Sequence, residues 1–270
     1  MFDLLSNVRV RAVEGPADIA VAILAGGLGT RLRPVLADRP KVMAEVAGRP
    51  FLSYWFDRLE QQGFRDVVLC TGFLAEQIHD FFGSNYGNLR LRYSREPAPL
   101  GTAGALRHAL DQLDSECLLV LNGDSWCDAP LANFWQNHRA RRCGASLVLT
   151  RVEDTSRFGW VKVNWHGRVQ EFREKHPFAG TGWINAGIYL MDRKWIEALP
   201  AHQNLSLERD VLPQWIPQEI YSFPSTGRFI DIGTPASLAQ AERFFAEIEP
   251  TPLAVYRGER LGFLEMTPHA

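Results

Sequence analysis

The chain has 270 residues, 46% of them hydrophobic and 22% charged, with a formal net charge of -2. That length holds one large α/β domain or two small ones, and the composition supports a sizeable core and excludes bulk disorder. The near balance of charge speaks against nucleic acid as the main partner, which draws a basic excess, but not against a small phosphorylated ligand.

Residues 1–18 mix Arg9, Arg11, Glu14 and Asp18 with apolar residues, unlike a signal peptide, and read as an N-terminal extension. Residues 19–25 form an apolar run that reads as a buried strand, and a glycine-rich loop follows. Phe51, Leu52, Trp55, Phe56 and Leu59 share one helical face, and Gly63 can close that helix. Residues 66–71 predict a strand, 74–82 a helix, 89–93 a strand and 102–113 a helix. A fully apolar strand over 117–122 ends in Gly123-Asp124. A helix over 131–141 and a strand over 145–152 complete a first half that reads as a nucleotide-binding unit, 19–150.

The rhythm then changes. Residues 160–165 and 168–173 alternate around His166-Gly167, which predicts a β-hairpin. A strand over 184–191, a helix from Ser206, a short strand over 228–231 and a last helix capped by Thr234 with Pro235 at its first position follow. This second half, 151–249, reads as a mixed-sheet, substrate-binding unit of the same domain, and 250–270 as a tail. The alternation of strands and helices predicts an α/β fold with a mostly parallel sheet.

Cys70, Cys117, Cys127 and Cys143 include no C-x-x-C pair, so they read as free thiols of a reducing compartment, and a cytoplasmic protein is expected. Asn204-Leu205-Ser206 is then a chance match to the glycosylation sequon. No apolar run reaches about 18 residues, so no membrane partner is expected. The seven histidines show no metal-like spacing. Trp126, Trp135, Trp160, Trp165, Trp183 and Trp195 read as core or rim residues; Trp183, two residues before Asn185, is the best placed to stack on a base. The sequence leaves the oligomeric state open, a homo-oligomer included.

The chemistry is concentrated after the first strand, in Leu24-Ala25-Gly26-Gly27-Leu28-Gly29-Thr30-Arg31-Leu32-Arg33-Pro34. Glycines let the backbone approach a ligand and turn its N–H groups toward phosphate oxygens. Arg31 adds a planar fork of donors and Lys41 a second cation. The dinucleotide fingerprint fails at Leu32, where glycine is required, and the P-loop pattern fails at Arg31-Leu32. A tight turn bearing surface arginines is the plainer alternative. Asp124 and Asp231 end apolar strands and suit magnesium, which takes oxygen ligands; each alone also suits a turn or a cap.

The string 24–34, followed by Pro40-Lys41, resembles the signature of the sugar-1-phosphate nucleotidyltransferases, and the resemblance runs from about Ile19 to about Glu247. It implies a Rossmann-like fold, the nucleotide-diphospho-sugar transferase fold: a mostly parallel central sheet flanked by helices, with a mixed sugar-binding subregion. It implies that Arg31 and Lys41 act on the triphosphate, and that Leu24, Ala25, Gly26, Gly27, Gly29 and Thr30 cradle the nucleotide. Asn122 and Gly123 would serve the nucleotide as well, and Asp124 and Asp231 would hold Mg2+. Val42 departs from the proline many members carry after the lysine. Leu100-Gly101-Thr102-Ala103-Gly104 resembles the segment that borders base and ribose, most like its guanylyltransferase form. Gly101 would admit a flat base, and Thr102 would bind it or cap the helix. Glu174-Lys175, Asn185-Ala186-Gly187 and Ser206-Leu207-Glu208 resemble the sugar-phosphate segments, which makes Lys175, Asn185, Gly187 and Glu208 sugar-phosphate ligands. His176 stands where members have proline and is a further phosphate candidate.

The implied reaction joins a nucleoside triphosphate, GTP favoured, to a sugar 1-phosphate and releases pyrophosphate. The loop together with residues 47–52 most resembles the branch that activates D-glycero-D-manno-heptose 1-phosphate for surface polysaccharide. Mannose 1-phosphate, or a thymidylyl- or uridylyltransferase on a hexose phosphate, is the alternative. A silent regulatory protein on the same fold would have lost Arg31, Lys41, Asp124 or Asp231, and all are present.

Overall fold

The computed structural model describes residues 10–27, 29–32, 34–175 and 180–247. Residues 1–9, Leu28, Arg33, His176, Pro177 and the expected tail at 250–270 lie outside these. In chain order the elements are β1 (Ala20–Leu24), β2 (Glu45–Val46), β3 (Arg49–Pro50), α1 (Leu52–Gln61), β4 (Asp66–Thr71), α2 (Ala75–Phe82), β5 (Asn85–Tyr86), β6 (Leu89–Arg95), α3 (Gly101–His108), β7 (Cys117–Asn122), β8 (Ser125–Cys127) and α4 (Leu131–Arg141). Then come β9 (Ala145–Val152), β10 (Gly159–Val163), β11 (Val169–Glu174), β12 (Gly182–Asp192), α5 (Arg193–Glu197), α6 (Leu212–Trp215), β13 (Tyr221–Pro224), β14 (Phe229–Asp231) and α7 (Pro235–Ala246).

Strands β7, β1, β4 and β6 run parallel and side by side, and β5 closes that edge. Parallel strands covered on both faces need apolar residues throughout, and all six residues of β4 are buried. β12 lies antiparallel on β7 and carries the β10–β11 hairpin and β9, with β13 parallel to β9. One ten-stranded sheet therefore runs through both expected halves. The core is mostly parallel at the nucleotide side and mixed beyond β7, as the alternation after residue 159 predicts.

Side-chain alternation in β1 sorts the two faces. Val21 and Ile23 pack with Phe51, Trp55 and Phe56 of the α1 side, whereas the smaller Ala20 and Ala22 face α3 through Ala103 and Leu106. Gly63 closes α1 with its N–H on Glu60 O at 3.0 Å, and Thr234 caps α7, its hydroxyl accepting from Ser237 N at 3.2 Å. The helix expected over 102–113 stops at His108 and continues as a short 3-10 turn, Leu110–Gln112. The helix expected from Ser206 begins as a one-turn π-helix, Leu207–Val211, because Pro213 offers no N–H to the preceding turn. Part of the expected N-terminal extension is fastened to the domain: Arg11 pairs with Asp66 and Asp114, both at 2.9 Å. Among the described residues no helix is long and apolar enough to cross a membrane.

Candidate active site

The carboxyl ends of parallel strands are where an open α/β sheet binds ligands. At that edge lies a cleft of about 470 Å³. The loop after β1 lines it with Leu24, Ala25, Gly26 and Gly27; Lys41, Asn122, Asp124, Gly101, Thr102 and Glu208 line it as well. Gly123 lies behind them, its N–H on Leu24 O at 2.9 Å. Asn185 donates through its amide to Tyr189 OH at 2.6 Å, which donates in turn to the lining residue Glu208 at 3.2 Å, and its Oδ1 accepts from Gly187 N at 3.1 Å. Gly29, Thr30, Arg31, Lys175, Asn185, Gly187, Asp231 and Trp183 are not among the lining residues.

The carboxylates meet at one cation. Lys41 Nζ donates to Asp124 Oδ2 at 2.6 Å and lies 3.9 Å from Asp231 Oδ2. Asp231 is brought there by β14 pairing with β8, which sets Asp231 against Ser125. The environments separate the two acids. Burial works to raise Asp124, but the Lys41 ammonium outweighs it and holds the carboxyl below its ordinary range. Burial, then the charge of Asp124, push Asp231 above that range. Arg31 contributes positive charge to both carboxylates.

Some roles differ from expectation. Thr102 is not a helix cap: α3 starts at Gly101, and the Thr102 hydroxyl accepts from Leu207 N at 2.7 Å and donates to Glu208 at 2.8 Å. The first turn of α3 is satisfied by Leu205 O, which accepts from Ala103 N at 2.9 Å. The same carbonyl explains Gly101. With φ +70° and a Cβ position 2.5 Å from Leu205 O, this residue must be glycine whether or not a base stacks there.

Sequence reasoning missed Glu96. It follows β6 at the same carboxyl edge, lines the cleft, and accepts from Leu100 N at 2.8 Å. Its Oε1 comes so close to Gly26 that a Cβ there would collide with it. Burial pushes its carboxyl up. The signal was available: Glu96 is the first residue after an apolar-patterned strand, where ligands gather. Glu174 and Arg209 also line the cleft, and Arg157 lies 3.6 Å from Asp231.

At the opposite end of the sheet, folding brings Cys117, His138 and Asp192 together, a grouping their spacing does not suggest. Each is otherwise engaged. His138 Nδ1 is 2.8 Å from Ser146 Oγ, Asp192 pairs with Lys194 at 3.2 Å, and burial pushes the Cys117 thiol up. The trio is packing of α4 on the sheet. All four cysteines are free, and burial pushes Cys70 and Cys127 up to about 12, so they stay protonated.

Burial lowers His138 from its ordinary 6.5 to about 4. The unfolded chain therefore takes this proton first. His138 contributes stability that is full above pH 6.5 and falls away toward pH 4, by up to about 3 kcal/mol. Urea unfolding of wild type between these pH values should show that loss, and His138→Gln should flatten it. An equal slope in the variant would remove His138 as the cause.

A glycine loop at the carboxyl edge of the sheet, beside two carboxylates that share one ammonium, is a chemistry suited to a phosphorylated ligand. Residues 20–248 match the nucleotidyl transferase family, and the chain belongs to it: the protein is a nucleotidyltransferase. It is similar to a D-glycero-alpha-D-manno-heptose 1-phosphate guanylyltransferase of Aneurinibacillus thermoaerophilus, 35% identical over 222 residues, 82% of this chain and 96% of the relative. It is also similar to a mannose-1-phosphate guanylyltransferase of Mycobacterium tuberculosis, 34% identical over 249 residues, 90% of this chain and 69% of the relative. Among solved structures, HddC from Yersinia pseudotuberculosis in complex with GMP-PN aligns with a TM-score of 0.76 and 34% identity, covering 84% of this chain and 99% of the other.

Proposed function

We propose that the protein joins GTP to D-glycero-D-manno-heptose 1-phosphate, giving the GDP-sugar and pyrophosphate. The observation that carries the reading is the cleft, lined by the glycine loop, Lys41 and Asp124, with Asp231 3.9 Å from the Lys41 ammonium. The relatives named above, two of them guanylyltransferases, support the sugar phosphate and the guanine nucleotide. Glu96 supports guanine independently. A carboxylate offers only acceptors; guanine presents N1–H and an amino group side by side, whereas uracil and thymine flank one N–H with carbonyls that a carboxylate repels.

Two carboxylates fit a hard, oxygen-seeking cation, and Asp124 and Asp231 are the residues that would hold Mg2+. When bound, it neutralises phosphate charge in the transition state. The chain's own residues do the rest. Lys41 and Arg31 place positive charge against the triphosphate, and the backbone of Gly26 and Gly27 cradles it. The acceptor phosphate is already an anion near neutral pH, so no side chain has to remove a proton. The sugar phosphate lies toward Glu174, Lys175 and Arg209.

The test is a matrix of GTP, UTP, CTP and dTTP against heptose, mannose and glucose 1-phosphates, read as pyrophosphate release. GTP should lead by at least about tenfold in kcat/KM, or about 1.4 kcal/mol. The heptose phosphate should lead mannose 1-phosphate in kcat/KM, and a pocket that only tolerates the extra hydroxymethylene limits that lead to about 1–3 kcal/mol. Equal or better use of mannose 1-phosphate would move the protein to the mannose branch; a preference for dTTP or UTP would overturn the guanine assignment.

A further inference from the structure

A carboxylate can accept about four hydrogen bonds. Glu208 takes four from the protein. Its Oε2 accepts from Thr102 Oγ1 at 2.8 Å and from Ser206 Oγ at 3.2 Å. Its Oε1 accepts from Tyr189 OH at 3.2 Å and from Asn122 Nδ2 at 3.4 Å. All four donors are neutral.

Each hydroxyl is also supplied from behind. Leu207 N donates to Thr102 Oγ1 at 2.7 Å, Arg209 N to Ser206 Oγ at 3.2 Å, and Asn185 Nδ2 to Tyr189 OH at 2.6 Å. Every hydroxyl therefore accepts from an N–H and gives its single proton to Glu208, so the network runs one way and its members polarise one another. Burial, then the charge of Glu208, hold the Tyr189 phenol well above its ordinary range, so it remains a donor. At Asn122 the amide nitrogen is committed to Glu208, while Oδ1 is buried with no protein partner.

The donors come from three directions. Thr102 belongs to α3, beside the nucleotide loop. Asn122 ends β7, two residues before Asp124. Tyr189 belongs to β12 and is held by Asn185 on the expected sugar side. We propose that Glu208 is a positioning residue and not a sugar ligand: its carboxylate ties α3, the end of β7 and β12 into one geometry and couples the two substrate subsites through it. With its acceptor positions filled, it has none left for a sugar hydroxyl. The identity of the substrates rests on the proposed function; the coupling does not.

Thr102→Ala and Tyr189→Phe each delete one donor from opposite ends of the network. Tyr189 has no exposed surface. Equilibrium binding of GTP, or of whichever of UTP, CTP and dTTP the wild type binds most tightly, is compared in wild type, both single variants and the double variant, each with and without Glu208→Gln. The KM of the sugar phosphate is measured in parallel. Tyr189→Phe, on the sugar side, should weaken nucleotide binding by about fivefold, and the two substitutions should be non-additive with Glu208 present and additive without it.

If Tyr189→Phe moves only the sugar phosphate KM, and Thr102→Ala only nucleotide binding, the coupling is wrong. If Glu208→Gln raises the sugar KM with nucleotide binding unchanged, Glu208 is a sugar ligand after all. Thermal midpoints identify a Glu208→Gln chain that does not fold, in which case the cross-effects of the two single variants decide. A wild type that binds nucleotide without turnover would sink the proposed function and leave the binding comparison standing.

Discussion

Asp124→Asn and Asp231→Asn should each remove at least about 99% of turnover while leaving the fold intact. Both substitutions keep the shape of the side chain and delete a negative charge beside Lys41, which lies 2.6 Å from one carboxylate and 3.9 Å from the other. A site that stabilises phosphate charge through a cation loses at least about 3 kcal/mol when one of two anchoring charges goes, roughly a hundredfold in rate. The two variants should differ in detail. Asp124 is held ionised by Lys41, so its replacement leaves the ammonium uncompensated and nucleotide binding without metal should, if anything, tighten. Asp231 already carries a raised carboxyl, so its replacement should act mainly on the metal requirement. Steady-state rates at saturating magnesium, with thermal midpoints as a check on folding, are the measurement. Near wild-type turnover in either variant would take that aspartate out of the mechanism.

Much of the fold was legible because long apolar runs and well-capped helices leave few options. The strands at 66–71, 117–122 and 145–152 and the helix at 131–141 match β4, β7, β9 and α4 residue for residue. The elements that escaped are short, and tertiary pairing creates them. β8 is three residues long and exists because it pairs with β14, the short strand expected over 228–231; β2 and β3 are a two-residue pair. β13 follows Ile220 with too little alternation to announce itself, yet it is the edge partner of β9.

The site was legible where a residue's role is carried by its own loop, and illegible where contacts set it. The glycine loop, Asp124 and Asp231 follow from strand ends and Lys41 from its string with Pro40, and the fold does bring Lys41, Asp124 and Asp231 together. Thr102 looked like a cap because threonine at the start of a helix usually is one; its hydroxyl instead serves Leu207 and Glu208, more than a hundred residues on. Glu208 looked like a free acceptor because nothing near it in sequence shows Tyr189 or Asn122 converging on it. Lys175 is exposed at the last described position before residue 180, so its place at the sugar phosphate rests on resemblance alone.

Glu96→Gln should cut kcat/KM for GTP by about a hundredfold and leave UTP and dTTP use unchanged or improved. The argument turns on which atom can go where. Leu100 N–H donates to Glu96 Oε2 at 2.8 Å, so the oxygen of a glutamine must take that position. Its NH2 group then takes the place of Oε1, the atom that faces Gly26 in the cleft. The carboxyl acceptor for guanine's N1–H and amino group becomes a donor that opposes them, and leaving buried donors unpaired costs about 1–3 kcal/mol each. The same NH2 group suits a carbonyl of uracil or thymine. Because glutamine keeps the bond to Leu100 N–H, the loop from 97 to 100 should hold its shape, and a general loss of structure would show as equal losses with every nucleotide. Competition between GTP and UTP in one reaction, read as the ratio of GDP-sugar to UDP-sugar formed, measures the change directly. An unchanged ratio would remove Glu96 from base recognition and leave the guanine preference to be explained by another part of the cleft.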